Sequence, residues 1–420
     1  MRVVVVGAGI IGVCTAYALR RAGLDVTVLE RRSGVAQEAS FANAGVMAPG
    51  YVGPWATPTM PRKVLSYLTR PEAPVVFRPT LSPALWGWLR RWLHECDLER
   101  YRRNRERMQR LAFYSQAELH ALRTVHALDY EQATGYLQLF RTDQELEAAA
   151  PARALLGELG VRHVLLDAVQ CRALEPALHP ATALAGGVHL PDDETGNCAY
   201  FAHQLKDIAI RDGVDFRFGV EVTGIDMALG RIDALQTASG PLRADAYVLA
   251  AGVDSAPLLE RVGIRLPLLA VKGYSATAPI TAFEHAPFLS VMDETYKVAI
   301  TRMGNRMRVA GTAELGSRGL ELRESALRTL MKVASDWFPY AASYRQGKFW
   351  VGARPMLPDG PPVLGRTPVG NLFVNVGHGS SGWVMAVGSA RILADVMTSR
   401  EPAIDLEGLT LDRYLGRAAA

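Results

Sequence analysis

Residues 1–34 read MRVVVVGAGIIGVCTAYALRRAGLDVTVLERRSG, and no side chain between Val3 and Leu19 is charged. An apolar run of this length only reaches the ~17-residue minimum for a membrane-spanning helix. Gly7, Gly9 and Gly12 inside it each weaken such a helix by about 1 kcal/mol. The β-branched valines at 3–6 instead predict a strand buried on both faces, as in a parallel sheet covered by helices. Gly7-Ala8-Gly9-Ile10-Ile11-Gly12 then matches G-x-G-x-x-G, and VCTAYALRRAG continues with helical apolar spacing to a stop at Gly23.

Strand, glycine turn and helix in this order are the first half of a dinucleotide site. Gly7 permits the tight turn, Gly9 lets a pyrophosphate approach the main chain, and Gly12 lets the helix pack close to the sheet. Ile10 and Ile11 open a helix whose free N–H groups and positive dipole end face the phosphates. DVTVLE at 25–30 predicts a second strand ending in Glu30, about 20 residues on, where a carboxylate accepts hydrogen bonds from a ribose. Arg31 and Arg32 follow directly and join the candidate cofactor residues. These features leave NAD and FAD open, because the two share an ADP half.

The bulk properties narrow the class. A chain of 420 residues predicts two lobes by the usual ~100–200 residues per domain. With 49% hydrophobic and 21% charged residues and a formal net charge of +4, nothing argues for a nucleic-acid partner. Cys14, Cys96, Cys171 and Cys198 show neither disulfide-framework nor zinc spacing, so no metal is expected. A reduced, cytoplasmic setting is expected, and the N-terminus, lacking export-signal features, is read as part of the fold.

After Glu30 the chain runs RRSGVAQEASFANAGVMAPGYVGPWATP, in which Ser40, Ala42, Asn43, Ala44 and Gly45 spell S-x-A-N-A-G before Val46 and Met47. Further on come GYLQLFRT (135–142), LPDDETGN (190–197), PLLAVKGYS (267–275), MDETYKVAITR (292–302), GARPMLPDGPPVLGRT (352–367) and VNVGHGSSGWVMAVGSARILAD (374–395). In order and spacing these segments resemble the FAD-dependent D-amino acid oxidase and glycine oxidase superfamily, and within it the D-amino acid dehydrogenase small subunit family. The resemblance implies FAD as cofactor and an α/β, two-lobed flavoprotein. It would have a Rossmann-type FAD domain, discontinuous over 1–83, 195–262 and 347–420, and a mixed-sheet α+β substrate domain over 84–194 and 263–346.

On that resemblance the small residues of the S-x-A-N-A-G stretch run along the flavin and its ribityl phosphate, and Val222, opening a strand, meets the adenine. Ala251 and Gly252 end a buried strand against the dinucleotide. Gly377, His378, Gly379, Ser380, Ser381 and Gly382 form a turn into a helix at the flavin ring. That helix end suits developing negative charge on the ring.

The substrate side rests on charge complementarity. An amino acid brings a carboxylate, and planar arginine holds it bidentately. Arg354 lies in the motif whose arginine grips the substrate carboxylate in glycine oxidase relatives, and a structural ion pair with Asp359 is its bland alternative. Arg302 and Arg308 are weaker candidates in a hairpin where arginines are often solvated. Tyr296, and behind it Tyr274, match a region that supplies an active-site tyrosine. His378 is read as a structural or flavin-supporting histidine in preference to a general base. Where glycine oxidase carries a second arginine in its flavin-side turn, this chain has Ser380, a departure that favours the dehydrogenase pocket.

The implied reaction is oxidative deamination of D-amino acids to 2-oxo acids and ammonia. Hydride passes from Cα to flavin N5, and electrons pass on to a quinone or other non-oxygen acceptor. The alternatives are an oxygen-using or cyclic or N-methyl amino acid enzyme (D-hydroxyproline, proline, sarcosine, glycine), or a non-catalytic flavin relay subunit. Residues 83–110 place Trp86, Trp88 and Trp92 at helical spacing beside arginines. The preferred reading packs the tryptophans on the core; the other makes a peripheral patch on the inner face of the cell membrane. The segment from Pro49 to Pro83 reads as a long irregular loop, with Tyr51 and Trp55 as lid residues.

Overall fold

The computed structural model describes residues 1–67, 72–78, 80–317 and 319–415. The valine run is β1 (Arg2–Val6), buried at all four valines. The helix α1 (Ile10–Arg21) follows the glycine turn, and β2 (Asp25–Glu30) lies parallel to β1. The uncharged stretch is therefore an inner strand, a turn and a helix packed between other helices. Its valines each gain roughly 1.5–3 kcal/mol from full burial, which explains why polar residues are missing there.

Around this unit a six-stranded sheet forms in the order β18-β19-β12-β1-β2-β8. Its remaining strands are β8 (Asp215–Phe218), β12 (Ala246–Leu249), β18 (Val363–Arg366) and β19 (Leu372–Val376). All its pairings are parallel except β18 with β19. One face packs on α1 and the helices Cys198–Arg211 and Gly382–Met397. The other face packs on a three-stranded antiparallel sheet of β9 (Val222–Ala228), β10 (Arg231–Thr237) and β11 (Gly240–Leu242).

A second, mixed sheet has the order β17-β13-β16-β15-β14-β5-β7-β3. It comprises β3 (Val46–Met47), β5 (Ala133–Phe140), β7 (Gly186–Thr195), β13 (Leu269–Pro279), β14 (Ser290–Asp293), β15 (Val298–Met303), β16 (Arg306–Leu315) and β17 (Lys348–Met356). Off this path β4 (Val75–Phe77) joins β16 and β6 (Val164–Asp167) joins β7. One face buries a core against the helix Glu324–Trp337, and the other overlooks the main cavity. The α/β architecture expected from the sequence is the one observed.

Two elements interrupt the segment expected to be one irregular loop. The helix α2 (Met60–Tyr67) and β4 both fall inside it. The cause is a vacancy in the ladder: β15 pairs with β16 only over Arg306–Ala310, and β4 pairs with the remaining Ala313–Leu315. The tryptophan-rich helix α3 (Pro83–Glu95) buries Leu85, Trp88 and Trp92 and leaves Trp86 half exposed, with its indole N–H donating to the Thr80 carbonyl at 2.8 Å. It precedes α4 (Leu98–His126), whose N-terminus is capped by the Asp97 carboxylate. Among the described residues no helix is long and apolar enough to cross a membrane.

Candidate active site

A cavity of about 1270 Å³ runs from the β1–α1 turn to the open face of the second sheet. It is larger than the roughly 300–1000 Å³ usual for drug-sized ligands, as a dinucleotide with a substrate beside it requires. The turn that opens it is built on absent side chains. Gly7 has φ +103°, and a Cβ there would lie 2.6 Å from the Ala250 carbonyl oxygen; at Gly12 a Cβ would strike the Gly7 carbonyl. Gly12 thus acts behind the wall, in helix–sheet packing, while Gly7, Gly9, Ile10 and Ile11 line the cavity.

Glu30 lines it too, fixed by Oε2 accepting from the Ala8 N–H at 2.7 Å and Oε1 from the Arg32 N–H at 2.8 Å. Arg31 and Arg32 border the cavity and share Glu38, and Arg31 also pairs with Asp254 at 2.9 Å. Ser40 Oγ accepts from the Ile10 N–H at 3.0 Å and so ties the S-x-A-N-A-G stretch to the helix start. Ser40, Ala42, Asn43, Ala44 and Val46 line the cavity. Gly45, at φ +74°, and the buried Met47 lie behind them, where β3 joins β7.

Val222, Ala251 and Gly252 line the same wall, as do Gly377, His378, Gly379, Ser380, Ser381 and Gly382. Gly377 has φ +79°, and a Cβ there would press on the Leu357 side chain. His378 is 3% exposed, its Nε2 is 3.2 Å from Ser389 Oγ, and burial pushes its pKa down to about 3. Burial thus favours the neutral imidazole, in keeping with the supporting role expected from the sequence in preference to a general base.

Arg354 lies on β17 and lines the cavity. Its guanidinium rests over Gly273 of the neighbouring β13, where any Cβ would collide with Cζ and both Nη atoms. Nη1 reaches the Lys272 carbonyl at 3.4 Å, and Cζ stands 5.8 Å from the centre of the Trp55 ring. Among the described residues Arg354 forms no ion pair, and burial pushes its pKa down to about 10. Asp359 pairs with Arg413 at 2.8 Å instead, so the bland reading of Arg354 fails.

The two tyrosines exchange places. Tyr274 borders the cavity and donates to Glu314 Oε2 at 3.0 Å, while burial pushes its pKa up to about 12. Tyr296, the stronger candidate by sequence, is outside the cavity lining. It packs on the core behind the sheet with Arg141 and Lys332 each 4.9 Å from its ring centre. Arg302 stacks on Phe283 at 4.9 Å, and Arg308 is buried rather than solvated. Neither lines the cavity.

Trp55, expected as a lid residue, lines the cavity, and two further contributors, Gly273 and Asp193, escaped sequence reasoning. Trp55 donates from Nε1 to Ser380 Oγ at 3.2 Å, closing the loop over the glycine turn. Gly273 was visible only as part of VKGYS. Asp193 pins Gly50 through the Gly50 N–H at 3.2 Å. These links join residues far apart in the chain, and no local pattern announces them.

A glycine turn feeding a helix, a carboxylate at the end of the second strand and a glycine cradle at the far end define an FAD-type dinucleotide oxidoreductase, and the cavity they line has the volume for such a group. Residues 2–396 match the family described as FAD dependent oxidoreductase (DAO), and the chain belongs to it. It is 46% identical over 417 residues to D-amino acid dehydrogenase 1 of Mesorhizobium japonicum, covering 99% of this chain and 100% of that one. The D-amino acid dehydrogenase of Vibrio cholerae serotype O1 is 46% identical over 416 residues, with 99% of each covered. In fold it resembles glycine oxidase from Geobacillus kaustophilus, with TM-score 0.77, 23% identity and coverage of 99% and 100%. L-proline dehydrogenase from P. horikoshii gives TM-score 0.73, 17% identity and coverage of 98% and 96%. The protein is an FAD-dependent oxidoreductase.

Proposed function

We propose that the protein oxidatively deaminates D-amino acids and passes the electrons to a quinone. The observation that carries the reading is the half-buried guanidinium of Arg354, which lines the cavity and, among the described residues, forms no ion pair. Taking such a charge out of water is costly unless a partner arrives, and a substrate carboxylate is that partner. The full-length relatives named D-amino acid dehydrogenase supply the stereochemical half of the reading.

When bound, FAD supplies the two-electron acceptor for hydride from the substrate α-carbon; the other tasks belong to protein side chains. Gly7, Gly9, Ile10, Ile11, Glu30 and the 40–46 stretch would hold the ADP half and ribityl chain, and 377–382 the ring. Arg354 orients the carboxylate, and Trp55 covers it from the loop side. Tyr274, neutral and committed to Glu314, shapes the wall. No side chain need take the amine proton: neutral His378 leaves the substrate amine to lose it to solvent, so activity rises with pH until that amine is mostly neutral. The imine product then hydrolyses to a 2-oxo acid and ammonia.

The acceptor reading is supported by the apolar side of the cavity, where Met60, Val64, Phe77, Trp88 and Leu89 offer a planar lipophilic molecule aromatic and aliphatic surface. We assign the cofactor to 1–83, 195–262 and 347–420 and the substrate sheet mainly to 84–194 and 263–346. A peripheral approach to the membrane belongs to the same reading. Anaerobic mixing is the test: D-alanine bleaches the flavin and L-alanine does not, and the bleached enzyme is reoxidised faster by a soluble quinone than by oxygen. No bleaching by any D-amino acid would refute the assignment.

A further inference from the structure

Arg308 presents an unexplained charge. It sits on β16 between Thr277 of β13 and Thr301 of β15, is 6% exposed and, among the described residues, forms no ion pair. Nε donates to Thr277 Oγ1 at 3.0 Å and Nη1 to the Asn43 carbonyl at 3.2 Å. The charged groups around it do not compensate it. Glu131 is taken by Arg306 at 2.9 Å and by the Asn197 amide at 2.7 Å, and the buried Cys198 thiol is held in its neutral form by burial.

Arginine keeps its proton even when buried. An uncompensated buried cation is therefore a standing cost to the fold, of the kind found at functional sites. In keeping with this, burial, reinforced by the nearby Arg306, pushes the Arg308 pKa down to about 10.

Its position says what the charge is for. Arg308 grips the Asn43 carbonyl while Thr301 grips that of Ala44 at 3.0 Å, so two side chains of the second sheet hold the back of the S-x-A-N-A-G stretch. The front of that stretch lines the cavity, and Ser40, three residues earlier, is bonded to the first N–H of α1. FAD carries its negative charge on the diphosphate, the group such a helix start receives. In a low-dielectric interior a full charge acts over several ångströms without direct contact.

We propose that Arg308 is a positioning residue for FAD: it sets the 40–45 backbone from behind and provides the buried counter-charge that the anionic cofactor offsets on binding. Thr301 performs the first task only. The pair therefore separates charge from geometry.

The test is the FAD dissociation constant, read by flavin fluorescence on dilution of the holoenzyme, for Arg308→Met, Arg308→Lys and Thr301→Val. Arg308→Met should weaken FAD binding at least about tenfold, while Arg308→Lys and Thr301→Val stay within about threefold of the parent, because only the first removes the charge. If Arg308→Met does not accumulate as folded protein, Arg308→Gln, polar but neutral, takes its place with the same expected loss. Parent-like binding by the neutral variant overturns the proposal. So does Arg308→Lys or Thr301→Val binding as weakly as the neutral variant, since the clamp alone would then account for the effect.

Discussion

Arg354 meets the cavity only because position 273 has no side chain. Replacing Gly273 by alanine puts a Cβ into the guanidinium, the far end of a flexible side chain, and the arginine moves before the backbone does. Gly273→Ala should therefore fold and keep its flavin while KM for D-alanine rises by roughly 10- to 100-fold, the scale of an ångström-sized misplacement at a reacting centre. Steady-state kinetics with flavin content measured in parallel checks this. An unchanged KM would mean that the guanidinium does not hold the substrate. The arginine itself was legible in the sequence because its motif is local, whereas its bed lies on another strand and only the β13–β17 register reveals it. The same distinction explains the tyrosines: 274 and 296 both sit in recognisable segments, but which one meets the cavity depends on the sheet face and on the β14–β15 turn.

At the scale of elements, the loop after β3 is a strap fastened at both ends. Gln109 of α4 donates to the Gly50 carbonyl at 3.1 Å, Asp193 of β7 accepts from the Gly50 N–H, and Trp55 reaches Ser380. Burial pushes the Asp193 pKa up to about 7, and among the described residues Oδ2 has no hydrogen-bond partner. In the unfolded chain an aspartate ionises near 3.9. The stability linked to this group is therefore full below about pH 4 and is lost as pH rises toward 7. His378 works in the opposite sense: its folded pKa lies below the unfolded value of about 6.5, so its share is full above that and is lost as pH falls toward 3. Asp193→Asn keeps an acceptor for Gly50 and removes the ionisation. It should stabilise the protein by roughly 2–4 kcal/mol at pH 8 and leave pH 4 nearly unchanged. Denaturant unfolding at the two pH values decides it, and parallel pH profiles for parent and variant would contradict it.

The elements that sequence reasoning recovered are those specified by their own residues. The valines of β1, the glycine turn and α1 need no information from elsewhere, and β12 and β19 each run straight into a small-residue turn. β4 was missed because its partner is the unpaired end of β16, 238 positions away at the Val75–Ala313 pairing. Arg308 was read as solvated because a hairpin has two faces and the sequence does not say that both are covered. The site was legible where function demands glycine or arginine in a motif, and illegible where it depends on depth.

For the whole molecule, the layer made by α2, β4 and α3 faces two ways. Its inner residues, Val64, Phe77, Trp88 and Leu89, border the cavity, while Trp86 and Leu93 on the outer side of α3 are 50% and 53% exposed beside the exposed Arg90 and Arg91. Leu81 and Leu98, at the two ends of that helix, are exposed as well. Aromatic and aliphatic side chains framed by arginines suit the headgroup layer of an anionic bilayer. A quinone dissolved in that bilayer would then have only this layer to cross before reaching the apolar side of the cavity. The expectation is that the protein sediments at low salt with vesicles containing phosphatidylglycerol and stays in solution with phosphatidylcholine alone. Leu93→Glu and Arg91→Glu, both on the outer side, should abolish sedimentation while the anaerobic half-reaction with D-alanine proceeds as in the parent. Full recovery of the parent protein in the supernatant with anionic vesicles would remove the membrane from the reading and leave the acceptor to arrive through water.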